Sequence, residues 1–207
     1  MQMVDQEKVG TLILGYYRTG THFLKDVIVD RHPENIRVFD EICNDNTLTE
    51  LKRLTDSRAY NICILNNTIP KFLLASRPDL LQKWHVIHLS RNNKVQHFIS
   101  HWFWMRNTHN ERLQDSGQFK HHGTKYSSYK NSIIERTIYD INLIVVWLQE
   151  QLINYVIPSD ATLDYHDLPK YATDNIQWQP NQYESLQLQD LFENYKEIEN
   201  LLSNFKI

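Results

Sequence analysis

Gly10–Asp30, GTLILGYYRTGTHFLKDVIVD, changes its hydrophobic period part-way along. Leu12–Leu14 is a continuous apolar run of the length expected for a buried strand, and it breaks at Gly15. The polar turn Tyr17-Arg18-Thr19-Gly20-Thr21 follows. Phe23, Leu24, Val27 and Ile28 then fall on one face of a helix, with Lys25, Asp26 and Asp30 opposite. Thr19 and Thr21 are candidate N-caps. A strand–turn–helix unit of this kind points free backbone N–H groups, and the positive end of the helix dipole, at one spot where an anion can bind. Gly20 allows close backbone approach, Arg18 adds a permanent charge, and the threonine hydroxyls can donate. An ordinary strand-to-helix connection uses the same residue types, so these residues alone leave both readings open.

The pattern alternates onward from there. Ile36–Phe39 reads as a second strand, followed by the acidic corner Asp40-Glu41. Thr49–Asp56 reads as a short helix and Tyr60–Leu65, YNICIL, as a third strand. Pro70 and Pro78 punctuate two short helical pieces. Trp84–Leu89, WHVIHL, is a fourth strand running into Ser90-Arg91-Asn92-Asn93, and a helix then places Val95, Phe98, Ile99, Trp102 and Met105 on one face. From Asn107 to Lys130 the pattern fails, and the segment reads as a long surface loop or lid over an acceptor site. Ile134, Ile138, Ile141, Val145, Leu148 and Leu152 predict a helix. Ala161–Tyr165 is a last strand, and Leu188, Leu191, Phe192, Tyr195, Ile198, Leu202 and Phe205 form the stripe of a C-terminal helix. Strands alternating with helices predict an α/β fold, a three-layer sandwich with a central parallel sheet. Ligands in such folds sit at the carboxyl ends of the strands, so the Arg18 turn, the Glu41 corner and the Arg91 segment are expected on one rim.

At 207 residues the chain is expected to form one domain, 1–207, with a sizeable core. A formal net charge of −3 argues against a nucleic-acid partner held by bulk electrostatics. The longest apolar run, Leu143–Leu148, is too short to cross a membrane, and MQMVDQEKVG does not read as a signal peptide. Cys43 and Cys63 make no disulfide framework, and a cytoplasmic location is expected. The oligomeric state is not legible.

Rival chemistries fit less well. A nucleotide kinase loop needs G-x-x-x-x-G-K-[ST]; Gly15 and Gly20 have the glycine spacing, but Thr21-His22 stands where Lys-Ser/Thr is required. The expected magnesium-holding Asp after a buried strand is replaced by Asn66-Asn67 and Ser90-Arg91. His97 and His101 have the spacing of a helical metal pair without a third ligand, so no metal is expected. The Trp102-Phe103-Trp104 cluster reads as core plus pocket wall.

The ordered motifs resemble the sulfotransferases that use 3′-phosphoadenosine 5′-phosphosulfate (PAPS), most closely the small bacterial carbohydrate-sulfotransferase branch that includes trehalose sulfotransferases. That family's R-[ST]-G-[ST]-x-x-L loop is similar to Arg18-Thr19-Gly20-Thr21-His22-Phe23-Leu24, and its L-x-R-x-D-K-x-x-Q-A-x-S segment to Leu89–Ser100, with Asn93 in place of the Asp. Glu41-Ile42-Cys43-Asn44 resembles E-I-F-N, Tyr165-His166-Asp167-Leu168 resembles Y-E-D-L, and Asn194-Tyr195-Lys196-Glu197 resembles the late N-Y-x-E. The resemblance implies a P-loop-like sulfotransferase fold. It also implies PAPS held at its 5′ end by Arg18, Thr19, Gly20, Thr21, His22 and Phe23, and at its 3′-phosphate by Arg91 and Ser100. The implied reaction is metal-free in-line sulfuryl transfer to a small-molecule or carbohydrate acceptor. Glu41 would be the base, with Asp40 a competing choice, and Arg18, His22 and Lys25 would stand near the sulfate. A non-catalytic nucleotide- or anion-binding module on the same scaffold, and a nucleotide kinase, are the alternative functions.

Overall fold

The computed structural model describes residues 8–31, 36–39, 47–56, 59–66, 68–114, 136–179 and 185–205. The chain divides into two compact units, Met1–Asn92 with Val146–Gln179, and Asn93–Val145 with Pro180–Ile207.

The first unit holds the whole sheet: β1 (Gly10–Leu14), β2 (Ile36–Phe39), β3 (Tyr60–Leu65), β4 (His85–Ser90) and β5 (Ala161–Asp164), in the order β2-β3-β1-β4-β5. All four pairings are parallel, with Leu12 opposite Cys63 on one side and Val86 on the other. The parallel sheet is the one the alternating pattern predicts. β1 lies at its centre with every residue buried, because GTLIL is apolar on both faces and each face is covered. Leu12 and Leu14 pack with Leu51, Leu54, Leu74, Leu81 and Trp84 under α2 (Thr47–Thr55), α3 (Thr68–Ala75) and α4 (Pro78–Leu81). Ile13 packs on the other face with Leu24 of α1 (Thr21–Arg31), and with Tyr165 and Leu168 from a 3-10 segment, Tyr165–Tyr171. Tyr165 therefore opens that segment rather than closing β5.

α3 is inside-out. Among its described side chains the buried positions are Lys71, 1% exposed, and Leu74, fully buried, while Phe72 is 67% exposed. Lys71 and Leu74 share a face at i, i+3.

The second unit is built on α5, Lys94–Gln114, which continues eight residues beyond Arg106, into the span where the sequence pattern predicts a loop. The rest of the expected lid, 115–130, lies outside the described residues. Phe98 and Trp102 of α5 meet Phe192 with ring centroids 5.7 and 5.2 Å apart, and Tyr139 closes the cluster at 5.3 Å from Phe98. The expected single C-terminal helix is two, α7 (Leu188–Leu191) and α8 (Tyr195–Asn204), broken where Phe192 leaves helical geometry. There Asn194 grips the Tyr139 backbone twice, accepting from its N–H at 3.0 Å and donating to its carbonyl at 2.9 Å. α6 starts at Ile141 rather than near Ile134, and the boundary between the units falls inside it. Its buried positions are Ile144, Trp147, Leu148 and Gln151, one step round from the predicted stripe, and Ile138 is exposed.

Leu14→Ala should cost about 3 kcal/mol, the range for truncating a buried core leucine, whereas Phe72→Ala should stay within about 0.5 kcal/mol despite removing a larger side chain. Urea unfolding of the two variants checks this, and a reversed order would mean that α3 faces the other way.

Candidate functional site

Parallel strands direct their loops to one rim, and the crevice opens where neighbouring strands send their connections in opposite directions. β1 connects towards β2 on one side and β4 towards β5 on the other, so the switch point lies between the carboxyl ends of β1 and β4. Those ends carry the Arg18 turn and Arg91.

The turn is tight. Gly15 N–H still donates to the Leu65 carbonyl at 3.3 Å, and the Thr19 hydroxyl donates to the Tyr16 carbonyl at 2.7 Å. A Cβ on Gly15 would sit 2.4 Å from that hydroxyl oxygen, so only glycine lets the turn fold back on itself. Arg18 (φ 70°) and Gly20 (φ 87°) have left-handed backbone geometry, and Arg18 is the one non-glycine residue with positive φ among the described residues. Alternate left-handed residues curl successive N–H groups round a concavity, the backbone form of an anion nest. Gly20 is doubly constrained, since a Cβ there would also lie 2.3 Å from Leu168 Cδ1. α1 begins at Thr21, which is buried.

Side chains of the predicted site fall into distinct settings. Arg18 and His22 are exposed. Lys25 pairs with Asp26 at 3.1 Å. Phe23 belongs to the core, edge-on to Trp178 at 4.8 Å, so only its backbone is available to a ligand. Arg91 is 1% exposed; its guanidinium carbon stands 4.1 Å from the centre of the Tyr165 ring, and Nη1 donates to the Arg18 carbonyl at 3.5 Å. The Arg18 and Arg91 segments thus adjoin. Ser100 is buried on α5 in the second unit. Asp40 and Glu41 lie outside the described residues.

On the opposite face of the sheet, beneath the same turn, is a polar cluster that sequence reasoning missed. Lys71 Nζ donates to the Gly15 carbonyl, and to the Asn66 carbonyl at 3.0 Å, joining the ends of β1 and β3. Burial lowers its amine from 10.5 to about 7, opposed by the nearby Glu150 carboxylate. Glu150 accepts a 2.6 Å hydrogen bond from Tyr16 Oη. His88, beside Leu14 on β4, is 4% exposed, and its Nε2 has no hydrogen-bond partner among the described residues. Burial, with Lys71 adding to it, depresses the imidazole to about 4. The available signal was a single lysine set in the apolar run Ile69–Leu74.

At the carboxyl end of β5, Asp164 holds the rim. Its carboxylate accepts from Asn92 N–H at 2.8 Å and from His166 N–H at 2.9 Å. A separate pocket of about 540 Å³ lies at the other, amino end of the strands, lined by Thr11, Ile28, Tyr60, Ile87 and Asp160 among others. Among the described residues no three His, Cys, Asp or Glu converge as metal ligands would, and no helix is long and apolar enough to cross a membrane.

No protein-family model, curated protein or solved structure matches the chain. What the site does is therefore argued from its own residues: a cation-rich strand end with a backbone nest is suited to holding a phosphate- or sulfate-bearing ligand.

His88 binds its proton near pH 4 in the fold and near 6.5 when unfolded. Between these values the unfolded chain holds the extra proton, so stability falls as pH drops from 6.5 towards 4. His88→Leu should flatten that dependence. Urea midpoints measured from about pH 4.5 to about pH 7 test it, and an unaltered slope would place the titrating group elsewhere.

Proposed function

We propose that the chain is a sulfotransferase that moves a sulfuryl group from PAPS to a hydroxyl or amine of a small-molecule or carbohydrate acceptor. The observation that supports this most is the meeting of two basic strand ends at the switch point of a parallel sheet, Arg91 on the Arg18 carbonyl. A donor with anionic groups at both ends matches two neighbouring cations better than a singly charged ligand does.

The residues fit the 5′ end of such a donor. The left-handed pair at Arg18 and Gly20, the exposed Arg18 side chain and the start of α1 face one anion from backbone, side chain and dipole. Bound there, the donor supplies an activated sulfuryl group and leaves as 3′-phosphoadenosine 5′-phosphate. Arg18 and the amides of Thr19–Thr21 would hold the negative charge that gathers on the departing oxygen. His22 and Lys25 lie on the first turns of α1 beside them. Glu41 would take the acceptor's O–H or N–H proton. It follows the edge strand β2, two places from β1 and so roughly 10 Å across the sheet. A reducing, cytoplasmic setting suits Cys63, a free thiol buried in the core.

The burial of Arg91 favours a second reading. Stacked on Tyr165 and almost without exposure, it braces the turn as much as it offers charge to a ligand, which suits a module that binds an anion without transferring a group. A kinase is set apart by Thr21-His22 and by the magnesium it would require.

Calorimetry with 3′-phosphoadenosine 5′-phosphate, followed by assay of sulfate transfer to a panel of sugars, separates transfer from binding alone. Glu41→Gln should bind the nucleotide as the parent does and lose about a hundredfold or more in turnover. Arg18→Ala should weaken both. Turnover near that of the parent in Glu41→Gln would pass the base role to another group, Asp40 first.

A further inference from the structure

Lys71 is a fully charged residue type in a position that would suit methionine or leucine. Its ammonium is 1% exposed, and its two described partners are neutral carbonyls, those of Gly15 and Asn66. The Gly15 carbonyl belongs to the first peptide of the Arg18 turn. Because the peptide is trans, holding that oxygen towards α3 turns the following Tyr16 N–H the opposite way. Lys71 thus aims the backbone of the turn from behind.

Its charge acts there too. Among the described residues, Glu150 on α6 and His88 on β4 act on it, and they in turn meet Tyr16 on the turn and Tyr155, whose ring is edge-on to His88 at 6.0 Å. Glu150 is the acid among them, and Tyr16 already donates to its carboxylate. Burial depresses the His88 imidazole and raises the Tyr155 phenol. The amine is thus balanced between forms and responsive to any new charge nearby.

We propose that Lys71 is a positioning residue for the Arg18 turn and that an anion binding in that turn draws a proton onto its buried amine. This rests on the reading of the turn as an anion site. The incoming negative charge stabilises the ammonium across a short, poorly solvated distance, and the ammonium in turn strengthens the hold on the anion. Anion affinity should then decline as pH rises through the range where the free amine loses its proton, about 7 and above.

The test is the chemical shift of the lysine ε-methylene carbons against pH, with sulfate as the probe because it does not itself titrate, and with 3′-phosphoadenosine 5′-phosphate as a second probe. One resonance, missing from Lys71→Met and from Lys71→Arg, should titrate near 7, well below the ordinary lysine range. Either probe should raise its midpoint by on the order of one unit. Glu150→Gln, which keeps the shape and removes the opposing charge, should lower it and serves if neither Lys71 variant folds. Three results overturn the coupling: no lysine titrating near neutrality, a near-neutral midpoint that stays put while calorimetry records nucleotide binding, or no binding of either probe. Only the last of these removes the anion site with it. A midpoint moved by sulfate, with no binding of the nucleotide, upholds the coupling and rejects PAPS as the ligand.

Discussion

β1 has neither a free edge nor a wet face. It is hydrogen-bonded to β3 and β4, and all five of its residues are buried between two apolar layers. A strand so enclosed has no freedom in register, since a one-residue slip would exchange the sets that contain Ile13 and Leu14. Its carboxyl end is therefore a fixed point, and the chain must turn there within a few residues to reach α1. Gly15 and Gly20 make that possible. What is placed round this point is held by the sheet rather than by the loop.

Three basic residues gather there, each in a different setting. Arg18 is exposed. Arg91 is buried but guanidinium does not give up its proton, so the Tyr165 face and the Arg18 carbonyl offset part of its lost hydration. Lys71 donates to two carbonyls, and burial lowers its basicity. Two of the three donate to carbonyls of the same short turn, at Gly15 and at Arg18. Oxygens drawn back by buried cations leave a turn whose donors and remaining positive potential face the other way. That property is built before any ligand arrives, as electrostatic preorganisation requires.

The parallel sheet and the Arg18 turn were legible because their signals are local: apolar runs of strand length, glycines at a break, a helical stripe after it. α5 was cut short at Arg106 because Asn107–Gln114 lacks an apolar stripe, yet helix can continue on backbone hydrogen bonds alone. The C-terminal helix was drawn too long because Phe192 keeps the apolar spacing while its backbone leaves the helix to meet the Tyr139 segment. α6 was placed one step off because it is apolar on nearly every side, so the stripe has no contrast to define it. Lys71 was invisible for a different reason. Periodicity sorts residues by polarity, and it cannot identify a helix that turns its lysine inward and its phenylalanine outward.

That inversion also bears on where in the sheet function resides. Among the described residues, local rules are broken at the carboxyl rim by a buried lysine bonded to carbonyls, a left-handed arginine, an arginine under a tyrosine ring and an imidazole nitrogen with no partner. The amino ends of the same strands are comparatively well satisfied. Thr11 and Tyr60 share a hydrogen bond at 2.8 Å, Asp160 accepts from Val86 N–H at 2.7 Å, and Lys8 caps the Trp84 carbonyl at 3.0 Å. Trp84 Nε1 has no partner among the described residues. A sequence under selection for stability alone would place methionine at 71 and leucine at 88 and lose nothing in packing. Costs concentrated at one end of a sheet, and at the end where its topology opens a crevice, argue that the rim is kept for binding chemistry and that the pocket at the other end is a feature of shape.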